Sequence, residues 1–222
     1  MKNFIQYFKK VIYLIVIAWF SVANAGSYED FFMAIKQDNP AAIQNLLQRG
    51  FDPNTIDPNG QTGLFIALRE PSLKSAQVLV DWPKTNLNLL NGKGESALMM
   101  AALKDQQELA EKLIKKGADV NKTGWTPLHY AASNGHLAII SLLLENSAYI
   151  DAESPNGTTP LMMAAMYGTP AAVKLLLQEG ADPQLKNQQG LTALQFAQRG
   201  NRPDTAEAIA AAIRSKRPAG QW

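Results

Sequence analysis

Apolar residues recur along the chain in short runs of helical spacing, and the runs repeat about every 33 residues. Five segments share one pattern: GQTGLFIAL from Gly60, GESALMMAA from Gly94, GWTPLHYAA from Gly124, GTTPLMMAA from Gly157 and GLTALQFAQ from Gly190. Their glycines are 34, 30, 33 and 33 residues apart. Each segment leads to a second apolar run, such as KLLLQEG, and then to a turn that ends in glycine. A fixed period of this length predicts one pair of helices in each repeat.

Local signals place the ends of these helices. Thr126-Pro127 and Thr159-Pro160 put a capping hydroxyl before a proline, which is a favoured way to begin a helix. Gly117 follows an apolar run and fits the left-handed position that ends one. Because helices of about nine residues are not stable alone, adjacent repeats must cover their leucines.

The repeated words resemble the ankyrin repeat, whose consensus joins G-x-T-P-L-H-x-A-A to a leucine-rich helix and G-A-D-V-N. The resemblance covers nearly all of the chain after residue 26, and the fold that it implies is an all-α ankyrin-repeat solenoid of stacked helix-turn-helix units with β-turn fingers. It predicts one ankyrin repeat domain over residues 26–214, divided into six repeats. The repeats lie near residues 27–58, 59–92, 93–122, 123–155, 156–188 and 189–214.

The first 25 residues have the features of a secretory signal peptide. They comprise the basic start MKNFIQYFKK, an apolar run from Val11 to Phe20, and the small-x-small word ANA. A ten-residue helix is about 15 Å long, half of the roughly 30 Å hydrocarbon core, which favours a cleaved signal over a membrane anchor. We therefore expect residues 1–25 to be removed, the protein to reside in a bacterial periplasm, and residues 215–222 to form a flexible tail.

The charge balance changes when the predicted signal is removed. Lys and Arg then fall from 21 to 18 against 19 Asp and Glu, which gives a net charge of −1. The basic character of the whole chain thus belongs to the signal and does not predict a nucleic-acid partner. Because cysteine is absent, disulfides and a lipid-modified cysteine are excluded.

The two histidines, His129 and His136, lie seven residues apart beside Trp125, which raises the question of a catalytic or metal site. The ankyrin resemblance implies a structural role for both: His129 is at the TPLH position and His136 begins the second helix. Thr126, Pro127, Leu128, Thr159 and Pro160 belong to the same structural words.

Catalytic chemistry is not indicated elsewhere in the chain. Without cysteine, with two histidines and without a G-x-S-x-G word, the chain has no signature of a nucleophilic site. Phosphate-binding loops of the G-x-x-x-x-G-K-[ST] type are also absent. We therefore predict no enzymatic activity, no cofactor and no metal site.

The ankyrin resemblance implies that certain positions of each repeat face a protein partner on the concave side. In the central repeats these positions hold aromatic residues and methionine, which are enriched in interfaces and adapt to partners. An alternative is that some of them pack against each other as core. The predicted partner-binding residues are Lys104, Trp125, Tyr130, Ser133, Asn134, Met163, Met166, Tyr167 and Arg199.

The connection that begins at Asn121 is three residues shorter than its counterparts. In the other repeats, the residue that ends the G-A-D-V-N motif and the first residue of the next turn are three positions apart. Asn121 must be both of these residues, so a turn is expected from Asn121 to Gly124. The missing residues predict a notch in the row of fingers with Trp125 at its base.

The sequence therefore predicts a non-catalytic protein-interaction module of the periplasm that is monomeric alone and binds one protein partner. Its role could be that of an accessory to an envelope enzyme or of an immunity protein to a toxin. An envelope scaffold held in the membrane by an uncleaved signal is the alternative, and an enzyme with a site built across the stack is less favoured.

Overall fold

The structure is a computed structural model and describes residues 26–215, so the predicted signal and all of the predicted tail except Ser215 lie outside the described residues. The predicted all-α class is confirmed: the described residues form helices joined by turns, and their strand-like pairing is confined to one isolated bridge between Ile56 and Thr62. They divide into two compact units between residues 85 and 86.

The first unit contains helix α1, described over residues 26–36, followed by three helices. These are α2 (Pro40–Gln48), α3 (Gly63–Arg69) and α4 (Leu73–Asp81). Its core is apolar, with the side chains of Phe31, Ile43 and Leu79 fully buried.

The second unit consists of four helix pairs. They are α5 (Ala97–Leu103) with α6 (Gln107–Lys115), α7 (Pro127–Asn134) with α8 (Leu137–Glu145), α9 (Pro160–Met166) with α10 (Pro170–Gln178), and α11 (Ala193–Arg199) with α12 (Pro203–Ser215). We call the first helix of each pair the inner helix and the second the outer helix. The inner helices pack in the order α5, α7, α9, α11, and α8 packs between α6 and α10.

Helices α7 and α9 begin where the Thr-Pro words predict, with Thr126 and Thr159 as N-caps and the prolines as first residues. Gly135 ends α7 in the left-handed conformation, at φ 73°, where a residue without a β-carbon avoids strain.

Small residues allow the inner helices to approach closely. Ala131 and Ala132 on α7, like Ala164 and Ala165 on α9, are fully buried. At Gly168, just after α9, an added β-carbon would collide with the carbonyl oxygen of Ala132 on α7. The close packing keeps equivalent positions of successive inner helices in rows across this unit.

Most fingers, which we define as the segments that precede α3 and the inner helices, close with the same two backbone hydrogen bonds. In the Ser154 finger, the N–H of Gly157 donates to the carbonyl of Ser154 at 2.8 Å, and the N–H of Ser154 donates to the carbonyl of Thr158 at 3.0 Å. The fingers that begin at Asp57, Asn91 and Asn187 contain the same pair of bonds.

The expectation that Asn121 also begins a turn is wrong. Neither of the two closing bonds forms between residues 121 and 125 of the described chain. The side chain of Asn121 instead bonds to the loop after α8, accepting from the N–H of Tyr149 at 2.8 Å and donating to the carbonyl of Ser147 at 2.7 Å. Asn88 contacts the loop after α6 in the same way. Asn121 therefore acts only as the last residue of its own G-A-D-V-N motif. Its side-chain amide is bonded to the loop after α8 and cannot also close a turn.

Candidate functional site

Two adjoining depressions lie on the second unit, on the side where the fingers meet the inner helices. The first encloses about 240 Å³ and its walls are largely apolar. It is lined by Leu103, Trp125, His129, Tyr130, Ser133 and Met163. It therefore lies directly at the shortened connection.

The second depression encloses about 310 Å³ and has a more polar wall. Its lining includes the predicted residues Met166, Tyr167 and Arg199. Trp125 and Met163 line both depressions, so that the two form one continuous surface, which we call the Trp125 face. Of the nine predicted partner-binding residues, Lys104 and Asn134 do not line either depression.

The ring of Trp125 is held against that of His129. Their centroids are 5.2 Å apart with an interplanar angle of 76°, which is an edge-to-face arrangement. The Trp125 side chain is half-buried, whereas the imidazole of His129 is 1% exposed. The buried imidazole of His129 thus packs against the indole of Trp125 and offers little surface to a ligand.

His129 joins two successive repeats by hydrogen bonds. Its Nε2 lies 2.8 Å from the carbonyl oxygen of Thr158, and since a carbonyl can only accept, Nε2 carries the proton. Nδ1 then accepts from the hydroxyl of Thr126 at 2.8 Å and from the N–H of Thr126 at 3.2 Å. Burial lowers the pKa of His129 to about 4, and the bond to Thr158 opposes this shift only in part. The imidazole is therefore neutral near pH 7, and both of its nitrogens are occupied by the framework.

Other residue types fill the position of His129 in neighbouring repeats. Met99 and Met162 each place Sδ 3.4 Å from the N–H of the N-cap residue, and Gln195 places Oε1 at 2.8 Å. In the four repeats of the second unit this position supplies an acceptor for that N–H, and side chains of several types can do so.

Tyr130 is fixed by a carboxylate on the same unit. Its hydroxyl donates to Oε1 of Glu95 at 3.0 Å, and the other oxygen, Oε2, accepts from Nδ2 of Asn91 at 2.8 Å. Burial raises the pKa of Tyr130, and the adjacent Glu95 raises it further, so the phenol stays protonated. Glu95 is thereby occupied within the fold.

Three predicted polar positions are turned toward the backbone. The hydroxyl of Ser133 and the amide of Asn134 both donate to the carbonyl of Tyr130, at 2.9 and 3.1 Å, near the end of α7. His136, the N-cap of α8, reaches the carbonyl of Leu103 through Nε2 at 3.1 Å. These three hydrogen bonds hold the backbone of the fold, so the polar atoms that make them are already engaged.

The polar side of the second depression was missed at the level of sequence. Asn156, Asn187 and Gln189 line it, and all three lie in fingers. The partner-facing positions implied by the repeat consensus lie beside and within the inner helix, which is why finger residues were not considered. The signal that identifies them is the recurrence of Asn or Gln immediately before the finger glycine and at the finger start.

Residues 26–215 lack two features of other protein classes. Within this range no group of His, Cys, Asp and Glu side chains is arranged to hold a metal ion. In the same range, every helix is too short or too polar to cross a bilayer.

The family model described as "Ankyrin repeats (3 copies)" matches residues 31–123, 72–154 and 149–217. Among curated proteins, Ankyrin repeat and SAM domain-containing protein 6 of Rattus norvegicus is 32% identical over 109 residues, which are 47% of this chain and 12% of that protein. The B-cell lymphoma 3 protein homolog of Mus musculus is 31% identical over 132 residues, which are 56% of this chain and 30% of that protein. The chain thus spans less than a third of the length of these relatives.

Solved structures match over more of the chain. The complex titled "Bd0816 Predatory Endopeptidase from Bdellovibrio bacteriovorus in complex with immunity protein Bd3460" contains a chain that is 36% identical, with a TM-score of 0.70 over 82% of this chain and 97% of that one. The ankyrin repeat protein EF0377 is 27% identical, with a TM-score of 0.72 over 82% of this chain and 96% of that one. The human ASB11 ankyrin repeat domain, 24% identical with a TM-score of 0.74, covers 86% of this chain and 85% of its own and shows the shared fold. The chain belongs to the ankyrin repeat family.

Proposed function

We propose that the chain is a non-catalytic interaction module that binds one protein partner on the Trp125 face. The observation that carries this proposal is the joining of two depressions by Trp125 and Met163, with aromatic and methionine side chains around them. Such residues are enriched at interface centres, and unbranched methionine adapts to the shape of a partner.

The exposure of these side chains supports binding rather than internal packing. Tyr167 is 59% exposed, and Trp125, Met163 and Met166 are half-buried, whereas the alanines behind them are fully buried. The fully buried alanines of the core thus lie behind the Trp125 face. Because the imidazole of His129 and the carboxylate of Glu95 are engaged by the fold, neither is available as an acid or base.

The proposed role is that of an immunity protein, which binds an enzyme to protect the cell that makes both. Support comes from the similarity, at 36% identity and over 97% of the matched chain, to a chain in the endopeptidase–immunity protein complex. On this proposal the protein is a monomer when alone and its partner is an exported enzyme.

The proposed location is the periplasm, reached through cleavage after Ala25. Support comes from the basic start, apolar run and small-x-small word of residues 1–25. The mass of the protein recovered from a periplasmic extract should correspond to a chain beginning at Gly26. An intact N-terminus in the membrane fraction would instead favour the retained envelope scaffold.

Affinity capture from the periplasm of the producing cell tests the proposed face. Wild-type protein is compared with a Trp125→Ala, Tyr167→Ala double variant, which we expect to lose most of its captured partner. Tyr149→Ala is the matched control, since Tyr149 is 69% exposed and lines neither depression. If the double variant retains its helical circular dichroism and still captures every partner at wild-type level, the proposed face is wrong.

A further inference from the structure

The apolar depression of the Trp125 face is smaller than a typical small-molecule site. It encloses about 240 Å³, whereas small-molecule pockets typically enclose roughly 300–1,000 Å³. It matches the scale of one bulky side chain inserted from a partner. The adjoining depression, at about 310 Å³, would then receive the residues next to that side chain.

The described side chains that line the Trp125 face carry positive charge and no negative charge. Arg199 is the single charged side chain among the described residues that line the two depressions, as His129 is neutral. Within the described chain, the Arg199 guanidinium has no recorded hydrogen-bond or ion-pair partner. Lys104, at the equivalent end of α5, places a second cation at the opposite end of the same row of inner-helix termini. This arrangement complements a partner that carries negative charge.

Asn187 supplies a buried amide at the same place. It is 6% exposed and lines the second depression. Its Oδ1 accepts from the N–H groups of Gln189 and Leu191, both at 3.0 Å, which fixes the amide orientation. The remaining Nδ2 donor has no partner recorded among residues 26–215. Nδ2 is not one of the fully buried unpartnered atoms of the described chain, so it reaches the surface of the depression and can donate to an acceptor from outside.

The chain itself shows which acceptor fits such an amide. In the Asn91 finger, Oδ1 of Asn91 accepts from two backbone N–H groups in the same way, and Nδ2 donates to the Glu95 carboxylate at 2.8 Å. Glu95 lies four residues after Asn91, and the residue four after Asn187 is Leu191. The Asn187 finger therefore has the carboxylate-binding amide without the carboxylate.

We propose that the Trp125 face recognises a partner segment in which a bulky apolar side chain fills the first depression and a neighbouring Asp or Glu carboxylate binds Nδ2 of Asn187 and the guanidinium of Arg199. The inference rests on the proposed function and specifies the chemistry of the partner. Charge-assisted hydrogen bonds from an amide and a guanidinium favour a carboxylate over a neutral amide or a cation.

Capped model peptides test the inference without knowledge of the partner. Each peptide carries one Phe, Leu or Met and one Asp, Asn or Lys at one to four residues from it, in a Gly-Ser background. Dissociation constants are measured by NMR titration of the protein, with the side-chain methyl groups of Met163 and Met166, which are present in every variant, as the reporters. We expect the Asp peptides to bind about threefold more tightly than the Asn peptides and about tenfold more tightly than the Lys peptides, as for an exposed ion pair.

Variants identify the groups that set the preference. Asn187→Asp keeps the acceptor that closes the finger, as Asp57 does for Asn59 and Gln61 in the first unit, but it removes the donor and should abolish the preference for Asp. Arg199→Glu should reverse the preference toward Lys. Lys174→Glu makes the same charge change at an exposed position of α10 and should leave the preference unchanged. Trp125→Ala should weaken binding of every peptide by about thirtyfold, as for a hot-spot residue.

The outcomes separate this inference from the proposed function. If no peptide binds, or if Asp, Asn and Lys peptides bind equally, the inference is overturned. The proposed function still stands in that case if partner capture depends on Trp125 and Tyr167. If capture is independent of both residues, the proposed function fails whatever the peptides show.

Discussion

The connections that begin at Asn121 and Ser154 differ in length but lead into the same kind of helix. Both are followed by a Thr-Pro pair that begins an inner helix, and in both repeats an outer helix with one buried face comes next. The Ser154 finger has both closing hydrogen bonds, and the short connection from Asn121 has neither. The three missing residues leave the half-buried Trp125 at the edge of an apolar depression.

This comparison separates the framework from the surface. The contacts that join successive repeats are retained at the short connection: Asn121 bonds to the loop after α8, and His129 bonds to Thr158. A finger can therefore be shortened without loss of the hydrogen bonds on which the stack depends. The outer part of the Ser154 finger makes further contacts that the short connection lacks, because the carbonyls of Pro155 and Asn156 accept hydrogen bonds from Gln188 of the next finger.

The largest expected effect tests whether the short connection weakens the packing behind it. Leu143 on α8 and Leu176 on α10 occupy equivalent positions, and both are 0% exposed. Leu143→Ala and Leu176→Ala should each lower the free energy of unfolding by about 2–5 kcal/mol, measured by urea denaturation. The two losses should agree within about 1 kcal/mol if the framework is the same behind both fingers.

Leu137→Ala serves as the control for these substitutions, because Leu137 is on α8 but 41% exposed, and its cost should be below about 1 kcal/mol. A cost under about 1 kcal/mol at Leu143 as well would show that α8 is not packed as described.

The next effect concerns pH and the histidine that ties the short connection to the next repeat. Burial lowers the pKa of His129 to about 4 in the folded protein, below the ordinary value of 6.5. The unfolded chain therefore binds a proton more readily than the folded one. The contribution of neutral His129 to the free energy of unfolding is complete above about pH 6.5 and is lost as the pH falls toward 4. The loss should reach about 3 kcal/mol in the free energy of unfolding.

His129→Gln is the matched variant, since Gln195 accepts from the N-cap N–H at the same position of its own repeat. The variant lacks the titrating ring while all other ionisable groups are unchanged. The difference in unfolding free energy between wild type and variant should therefore shrink between pH 7 and pH 4. A constant difference would show that His129 is not held neutral by the fold.

The smallest effect on stability should come from restoring the missing residues. Insertion of Ala-Glu-Ser between Asn121 and Lys122 copies the spacing of the Ser154 finger and places a serine three residues before Gly124. We expect the free energy of unfolding to change by less than about 1 kcal/mol, because a few residues add little loop entropy. Partner capture should nevertheless fall severalfold, since the new finger would stand beside Trp125. Unchanged capture would show that the short connection has no part in binding.

Much of the fold could be predicted because its signals are local. The Thr-Pro starts and the glycine that ends α7 each identify a helix end from a few adjacent residues, and the period of about 33 residues then repeats these local signals along the chain. The dual role predicted for Asn121 was wrong, since residue counting shows how many residues are missing and not which hydrogen bonds the remaining amide makes.

The site was predictable only in part. Consensus positions identified Trp125, Tyr130, Met163, Met166 and Tyr167 as neighbours, and the structure brings them to one surface. The engagement of Tyr130 with Glu95 and the unused donor of Asn187 depend on contacts that the repeat pattern does not encode. Whether such a contact forms depends on which residues occupy two positions at once. A consensus that treats each position separately does not include this information.

Hydroxyl-radical footprinting of the captured complex tests the central claim most directly. The oxidation rates of Trp125, Met163 and Met166 are measured by mass spectrometry for the free and the partner-bound protein. We predict that binding lowers all three rates severalfold, whereas Met33, which is 55% exposed in the first unit, keeps its rate. Equal rates for Trp125, Met163 and Met166 with and without the partner would contradict the assignment of the Trp125 face as the binding surface.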